Sequence, residues 1–556
     1  MRSCLCFIFL FATTVAQTLN LENVGYLKLP DCRTANMQMF SNSAMKAVFH
    51  ETSRLLYVAG ESCVHVVNVG IASAPTRIKT QLFNDGLDGK IKDIAVCDNT
   101  IAVLLEGPEA LGEGHVYLCD PYSTFTNEMD CTRQNRIIVG DSPTNMEYTS
   151  DCKKLLVTNS GRAGLINGVF TDPIGSVTII DKRLATEGAP CTRELSFTYF
   201  DDRLQYYMAQ GLRWTYRGDH NNGIVTKFSN DLEPSHVTIN GDNTRAYVTL
   251  PVANGIAEID LTTDSWVDMY NMGYKDLSAF QIDASDSDFG VNMVSGYTIR
   301  ALKQPTAAVF VKGSSIDYVV TANTGAMRTY TMDVHGVDYT DNARGQTVFF
   351  DGELDNTEIS STLGSDLNAN SRLGRLHMST VDGRSFVSGL ITNLYTFGGR
   401  ELGFWDLAFN TNTSTADDLE TIAASSYPSV FNGDCSDATL SPADEADSRS
   451  DDLGPEPNVL ATYKYNETPL IAAAARNGLM YLYIMAFNTP SYQNVVRLGN
   501  MTASWADSQA VSAAGDGLIS DMGFIPENLL GGESTPVLYV ISQGTGSVSL
   551  NRIVMP

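Results

Sequence analysis

Apolar positions along the chain come in short β-branched runs divided by Gly, Asn, Asp and Pro, which is the pattern of strands and tight turns. The stretch from His236 shows it well. Val237-Thr-Ile precedes a Gly241-Asp242-Asn243 turn, Arg245-Ala-Tyr-Val-Thr-Leu precedes an Asn254-Gly255 turn, and Ile256-Ala-Glu-Ile-Asp-Leu follows. That is a three-stranded meander, most of one propeller blade. The same pattern recurs over Lys46 to Val69, Asp93 to Asp120, Asn145 to Asp181, Asp317 to Tyr330, Leu376 to Leu407, Val459 to Met485 and Val537 to Ile553, which makes eight candidate units with the first. Spacing of roughly 45 to 90 residues exceeds that of regular propeller repeats, so long loops or one insertion are expected. The patterning therefore predicts an all-β chain folded as a single β-propeller of seven or eight blades, with Val24-Gly-Tyr-Leu-Lys-Leu as a closing strand. Tandem β-sandwiches are the alternative.

The start departs from this pattern. Met1-Arg2, the apolar Leu5 to Phe11 and Val15-Ala16 before Gln17 read as a signal peptide over residues 1–16, with the propeller over 17–556. The apolar run is shorter than the about 20 residues that span a bilayer, and no transmembrane segment or lipid-anchor signal is read elsewhere. A secreted, extracellular location follows.

A net charge of −27 disfavours nucleic acid and anionic membrane as partners and favours cations and basic proteins. Beyond the leader, eight cysteines remain, seven of them before position 192. An oxidising compartment makes disulfides the reading, and Cys119 and Cys131, which bracket one polar loop, are the local pair. Sequons at Asn412, Asn466 and Asn500 lie in polar turns and are candidate glycosylation sites.

The sequence holds no His-Glu-x-x-His, no Gly-x-Ser-x-Gly and no phosphate-cradling loop, so no catalytic triad or zinc site is assigned. Carboxylates are more informative, because calcium takes six to eight oxygens from acidic, amide and carbonyl groups. Asp283, Asp286 and Asp288 fall within six residues. The acidic, apolar-poor loop around 434–458 adds Asp447, Asp451, Asp452 and Glu456, with Arg449 among them as a charge partner. Asp366-Leu-Asn368-Ala-Asn370 begins like a calcium loop but has Ser371 where Gly is needed and His377 in place of the closing Glu.

Asp231-Leu-Glu233-Pro, Ala246-Tyr-Val-Thr-Leu, Ile282-Asp-Ala-Ser-Asp, Val320-Thr-Ala-Asn, Leu373-Gly-Arg-Leu, Phe397-Gly-Gly-Arg400 and Ser448-Arg-Ser-Asp-Asp-Leu-Gly-Pro-Glu-Pro occur in that order. Together they resemble the choice-of-anchor I propeller family, which includes bacterial secreted proteins labelled alkaline-phosphatase-like and mesenchyme-specific cell-surface glycoproteins of biomineralising animals. The resemblance adds Asp231 and Glu233 to the candidate metal ligands and Arg400 to the charge partners. It implies a secreted acidic glycoprotein of the extracellular matrix, non-enzymatic, that binds calcium or mineral surfaces. A protein-binding propeller and a metal-dependent phosphoesterase are the alternatives. The chain departs from the family at Asn159-Ser-Gly, Asn323-Thr-Gly and Ser542-Gln-Gly, and Val381 to Gly389 holds one carboxylate where the family loop is rich in Asp. Those losses weigh against the phosphoesterase, since metal-assisted hydrolysis needs a fixed cluster of ligands.

Overall fold

In a computed structural model, residues 18–555 are described apart from 35, 84–88, 109–110, 132–135, 187–188, 219–225, 332–337, 356–358, 360, 411, 487 and 511–514. The leader lies outside the described residues, and among them no helix is long and apolar enough to cross a membrane.

The chain is all-β, as its patterning predicts. Six antiparallel sheets follow one another, four-stranded except the second, where Glu128–Asp130 also pairs with Glu113–Ser123, and a seventh is completed by the N-terminal strand. The first comprises Lys46–His50, Leu55–Ala59, Cys63–Asn68 and Thr76–Leu82, and the second Ile91–Cys97, Thr100–Leu105, Glu113–Ser123 and Arg136–Asp141. The third holds Pro143–Tyr148, Lys154–Asn159, Ser176–Thr186 and Ala189–Ser196, and the fourth Val237–Ile239, Arg245–Leu250, Gly255–Asp260 and Ser265–Asn271. The fifth combines Ala307–Val311 and Tyr318–Asn323 with Glu401–Asp406 and Asn412–Ser414. The sixth runs Val459–Tyr465, Thr468–Ala474, Met480–Ala486 and Thr489–Val496. In the seventh, Ile519–Ile525, Val537–Ser542 and Ser547–Val554 are joined by Asn20–Lys28, antiparallel to Ser547–Val554.

The second strand of each sheet is apolar on both faces, because a neighbouring sheet packs on either side. Leu55–Ala59 and Val537–Ser542 are buried at every position. Separate apolar clusters lie between the first and second sheets (Tyr57, Val103), the second and third (Leu104, Leu155), the third and fourth (Ile179, Val248), and the fourth and fifth (Tyr247, Val319). Others join the fifth and sixth (Phe404, Tyr481), the sixth and seventh (Leu482, Val540), and the seventh and first (Ile541, Val58).

Polar side chains on several first strands bridge sheets. Asp521 accepts from Ala47 N at 2.7 Å, Asp93 from Met146 N at 2.8 Å, Asn145 from Val237 N at 3.0 Å, and Thr238 from Phe310 N at 3.0 Å. A buried backbone donor in one sheet is thus satisfied by the sheet before it.

Eight expected units become seven sheets because Asp317 to Tyr330 and Leu376 to Leu407 are not separate units. Tyr318–Asn323 pairs directly with Glu401–Asp406, and residues 324–400 are an insertion between them. Its strands Asn342–Arg344, His377–Ser379 and Tyr395–Phe397 join Tyr274–Asp276 and Arg300–Leu302 in a mixed five-stranded sheet. That sheet has its own core, including Ile282, Leu367, Leu376, Met378 and Ile391. The neck of the insertion is tight: a Cβ at Gly398 would lie 2.3 Å from Thr324 O, and Gly398 has a φ of +76°.

Disulfides join Cys32 to Cys63, Cys97 to Cys152 and, as expected from the sequence, Cys119 to Cys131. Cys191 and Cys435 are free.

Candidate metal centre

Acidic residues singled out in the sequence fall into three settings. Asp231 and Glu233 lie under the insertion and face buried Arg328, which ion-pairs with Asp231 and sits 2.9 Å from Glu233. Asp231 also accepts from Thr215 N at 2.5 Å, and Glu233 from the Tyr330 hydroxyl at 3.0 Å. Arg328 N donates to Asp341 at 2.9 Å, and Asp341 in turn pairs with Arg213 at 3.0 Å. These carboxylates neutralise buried guanidinium groups.

The loop around 434–458 connects the fifth and sixth sheets, and most of its acids are likewise engaged. Arg449 reaches Asp452 and Glu456, both at 2.6 Å. Asp451 pairs with Arg344 at 2.8 Å and with Arg375 at 2.9 Å, and Arg375 also grips Asp286. Burial raises the Asp452 carboxyl, but His377 and the nearby Arg449 and Arg344 outweigh it and hold the group at about 2. Arg400, 2% exposed, donates to the carbonyls of Asp283 (2.7 Å) and Ser450 (2.8 Å) and pairs with Glu420 at 2.8 Å. It ties this loop to the segment after Ile282 through backbone oxygens rather than through the loop's carboxylates.

That tie creates the third setting. Carboxylate oxygens of Asp283, Asp288 and Asp447 lie within 4.8 Å of one another, although Asp447 is far from the other two in sequence. None of the three ion-pairs with a described Arg, Lys or His. Asp283 is fully buried and accepts from Asn292 N at 2.6 Å and Ser285 N at 3.3 Å. Asp447 accepts from the Ser450 hydroxyl at 2.6 Å, and Asp288 Oδ1 is buried without a hydrogen-bond partner. Burial, then the neighbouring Asp447 and Asp288 charges, push the Asp283 carboxyl up to about 8 against its backbone donors. Burial, with Asp288, Asp286 and Asp451 adding to it, raises Asp447 to about 6. Three like charges in little water are unfavourable unless protons or a cation neutralise them. An all-oxygen donor set suits a hard divalent cation such as calcium.

Asp366 pairs with Arg372 at 2.9 Å, so its weak calcium-loop pattern resolves into an ion pair. Sequence reasoning did not assign Arg344, Arg375 and His377, which reach the acidic loop from the insertion, or Glu420, which holds Arg400. Arg375 lies in the Leu373-Gly-Arg-Leu motif and His377 just after it, but nothing in the local sequence of any of the four states that it pairs with a distant group.

The model of the choice-of-anchor I domain matches residues 45–487, which contain all three settings. The chain belongs to the choice-of-anchor I family. A mesenchyme-specific cell surface glycoprotein of Strongylocentrotus purpuratus is 28% identical over 322 residues, covering 54% of this chain and 41% of that protein. The family member described here thus spans less than half the length of that relative. Kuenenia stuttgartiensis hydrazine synthase aligns with 92% of this chain and 96% of its own at 9% identity and a TM-score of 0.42. The Cps50 (Swd1) beta-propeller domain of Myceliophteria thermophila aligns with 96% and 100% at 9% identity and 0.39. Neither score bears on fold or chemistry.

Proposed function

We propose that this protein is a non-enzymatic, extracellular calcium-binding glycoprotein of the matrix, built on a seven-bladed propeller. The propeller reading is supported by the succession of seven sheets, each packed on the next, with the N-terminal strand completing the last. The extracellular reading is supported by three disulfides and by the cell-surface glycoprotein among its relatives. Exposed Asn466, on a turn, and Asn500, in a loop, are open to glycan attachment.

The observation that carries calcium binding is the meeting of Asp283, Asp288 and Asp447 with no cationic side chain among them. These three would hold the ion, and the ion would supply the charge the cluster lacks. Contact with mineral surfaces extends the same reading, since an acidic surface with ordered carboxylates suits a calcium lattice.

Thermal unfolding of the full chain in EDTA and in millimolar calcium tests this. A ligand that binds only the folded state raises Tm. Calcium should raise Tm in the native protein and not in Asp288→Asn or Asp447→Asn. An unchanged Tm in the native protein, or an equal rise in both variants, overturns the assignment.

A further inference from the structure

A second site lies away from the carboxylate cluster, where the second and third sheets meet the insertion. A cavity of about 410 Å³ opens there, within the size range of small-ligand sites. Its walls come from three elements: Lys92 and Glu106 from the second sheet, Ser142, Ser160 and Arg162 around the third, and Tyr330 from the insertion.

The charge of these walls runs against that of the molecule, which is −27 overall. Lys92 and Arg162 are both cationic, and the Glu106 carboxylate is engaged by Lys92 at 3.5 Å and by Lys90 N at 3.3 Å. Behind the cavity, Tyr330 donates to Glu233 at 3.0 Å, and burial lifts that carboxyl to about 7 even though Arg162 draws it down. That acid lies behind the Tyr330 wall and is paired with Arg328 at 2.9 Å, so it repels an entering anion less than a free carboxylate would. Ser142, Ser160, Thr329 and Thr331 line the same space beside Tyr330.

A fork of guanidinium donors suits a carboxylate. Hydroxyls suit other hydroxyls as donors or acceptors, Glu106 adds an acceptor, and an aromatic side chain offers an apolar face. We infer that this cavity binds an acidic sugar, with Arg162 taking the carboxylate of a hexuronic acid unit and the hydroxyl-lined wall taking its ring hydroxyls. The site needs no metal and is independent of the calcium reading.

The test is thermal unfolding and calorimetric titration of the full chain in EDTA with sodium D-glucuronate, against D-glucose and sodium acetate at matched ionic strength. Glucuronate should give a saturable rise in Tm and measurable heat, and the two controls neither. Arg162→Gln, a change at an exposed side chain, should weaken glucuronate binding at least tenfold. Thr331→Trp, also at an exposed position, should block it by filling the cavity. No glucuronate response in the native protein overturns the inference. So does an equal response to acetate or to glucose, or an unaltered response in both variants.

Discussion

Asp288 and Arg400 show how one side chain decides the state of the candidate centre. Asp288 Oδ1 is buried without a hydrogen-bond partner, so Asp288→Asn removes a charge without breaking a hydrogen bond at that atom. It should relieve repulsion on Asp283 and lower that carboxyl from about 8, which an NMR titration of the side chain would read. The same raised values make protons competitors of the ion. With Asp283 at about 8 and Asp447 at about 6, the cluster carries protons at pH 5 and sheds them as pH rises through those values. In the cation-free protein, a raised carboxyl contributes stability at low pH that is lost as pH climbs through its folded value. The calcium-induced rise in Tm should therefore grow from pH 5 to pH 8, and a pH-independent rise would assign the ion elsewhere. Arg400→Met should be costly, because it strands Glu420 in the interior and frees the carbonyls of Asp283 and Ser450. Breaking a buried pair in this way typically costs about 3–5 kcal/mol, to be read in chemical denaturation, and calcium binding should fall with it.

At the scale of elements, the insertion is where sequence and structure part. Strand runs such as Leu55–Ala59 or Arg245–Leu250 were legible because alternating turns and β-branched residues fix them locally. The pairing of Tyr318–Asn323 with Glu401–Asp406 was not, because each half carries a complete strand signature and nothing local states that the 77 residues from 324 to 400 leave the sheet and return. The candidate centre was half legible for a related reason. Asp283, Asp286, Asp288 and Asp447 stood out as acids in loops, but which acids meet depends on Arg344 and Arg375 engaging Asp451 and Asp286. Sequence shows charge density, whereas the long-range pairing of Asp451 and Asp286 with Arg344 and Arg375 decides which charges remain, and Arg400 joins the two segments through backbone carbonyls. The neck of the insertion gives an element-scale test. A Cβ on Gly398 would lie 2.3 Å from Thr324 O, on a backbone with φ of +76° that disfavours side chains. Gly398→Ala should lower stability by about 2 kcal/mol or more, seen as a shift of the denaturation midpoint. It should also weaken calcium binding, since Arg400 follows two residues later.

Across the whole molecule, the seventh sheet joins the two ends of the chain. Asn20–Lys28 pairs with Ser547–Val554 from Asn20 against Val554 to Lys28 against Ser547, with a single irregularity near Asn23. Asn23 reinforces the join through hydrogen bonds to Leu550 O at 3.2 Å and Asn551 at 3.1 Å. Leu21 and Leu19 bury themselves against the cluster shared by the sixth and seventh sheets, beside Ile553 and Val540. Without this strand, Ser547–Val554 would present a row of unpaired backbone groups to solvent and uncover the apolar side chains beneath, which is an edge prone to pairing with another chain. The fold also satisfies first-strand donors from the preceding sheet, through Asp521 to Ala47 and Asp93 to Met146, so loosening the seventh sheet removes support from the first. A chain starting at residue 30 should therefore lose more than one strand's worth of stability. Its calorimetric transition should fall and broaden, and light scattering should detect association on warming. Adding a synthetic peptide of residues 18–29 in excess should restore part of the lost Tm, because the strand contributes by pairing and burial and not by covalent connection. A truncated chain that unfolds at the native temperature, with no response to the peptide, would mean that the N-terminal strand only decorates a fold that its other sheets hold together.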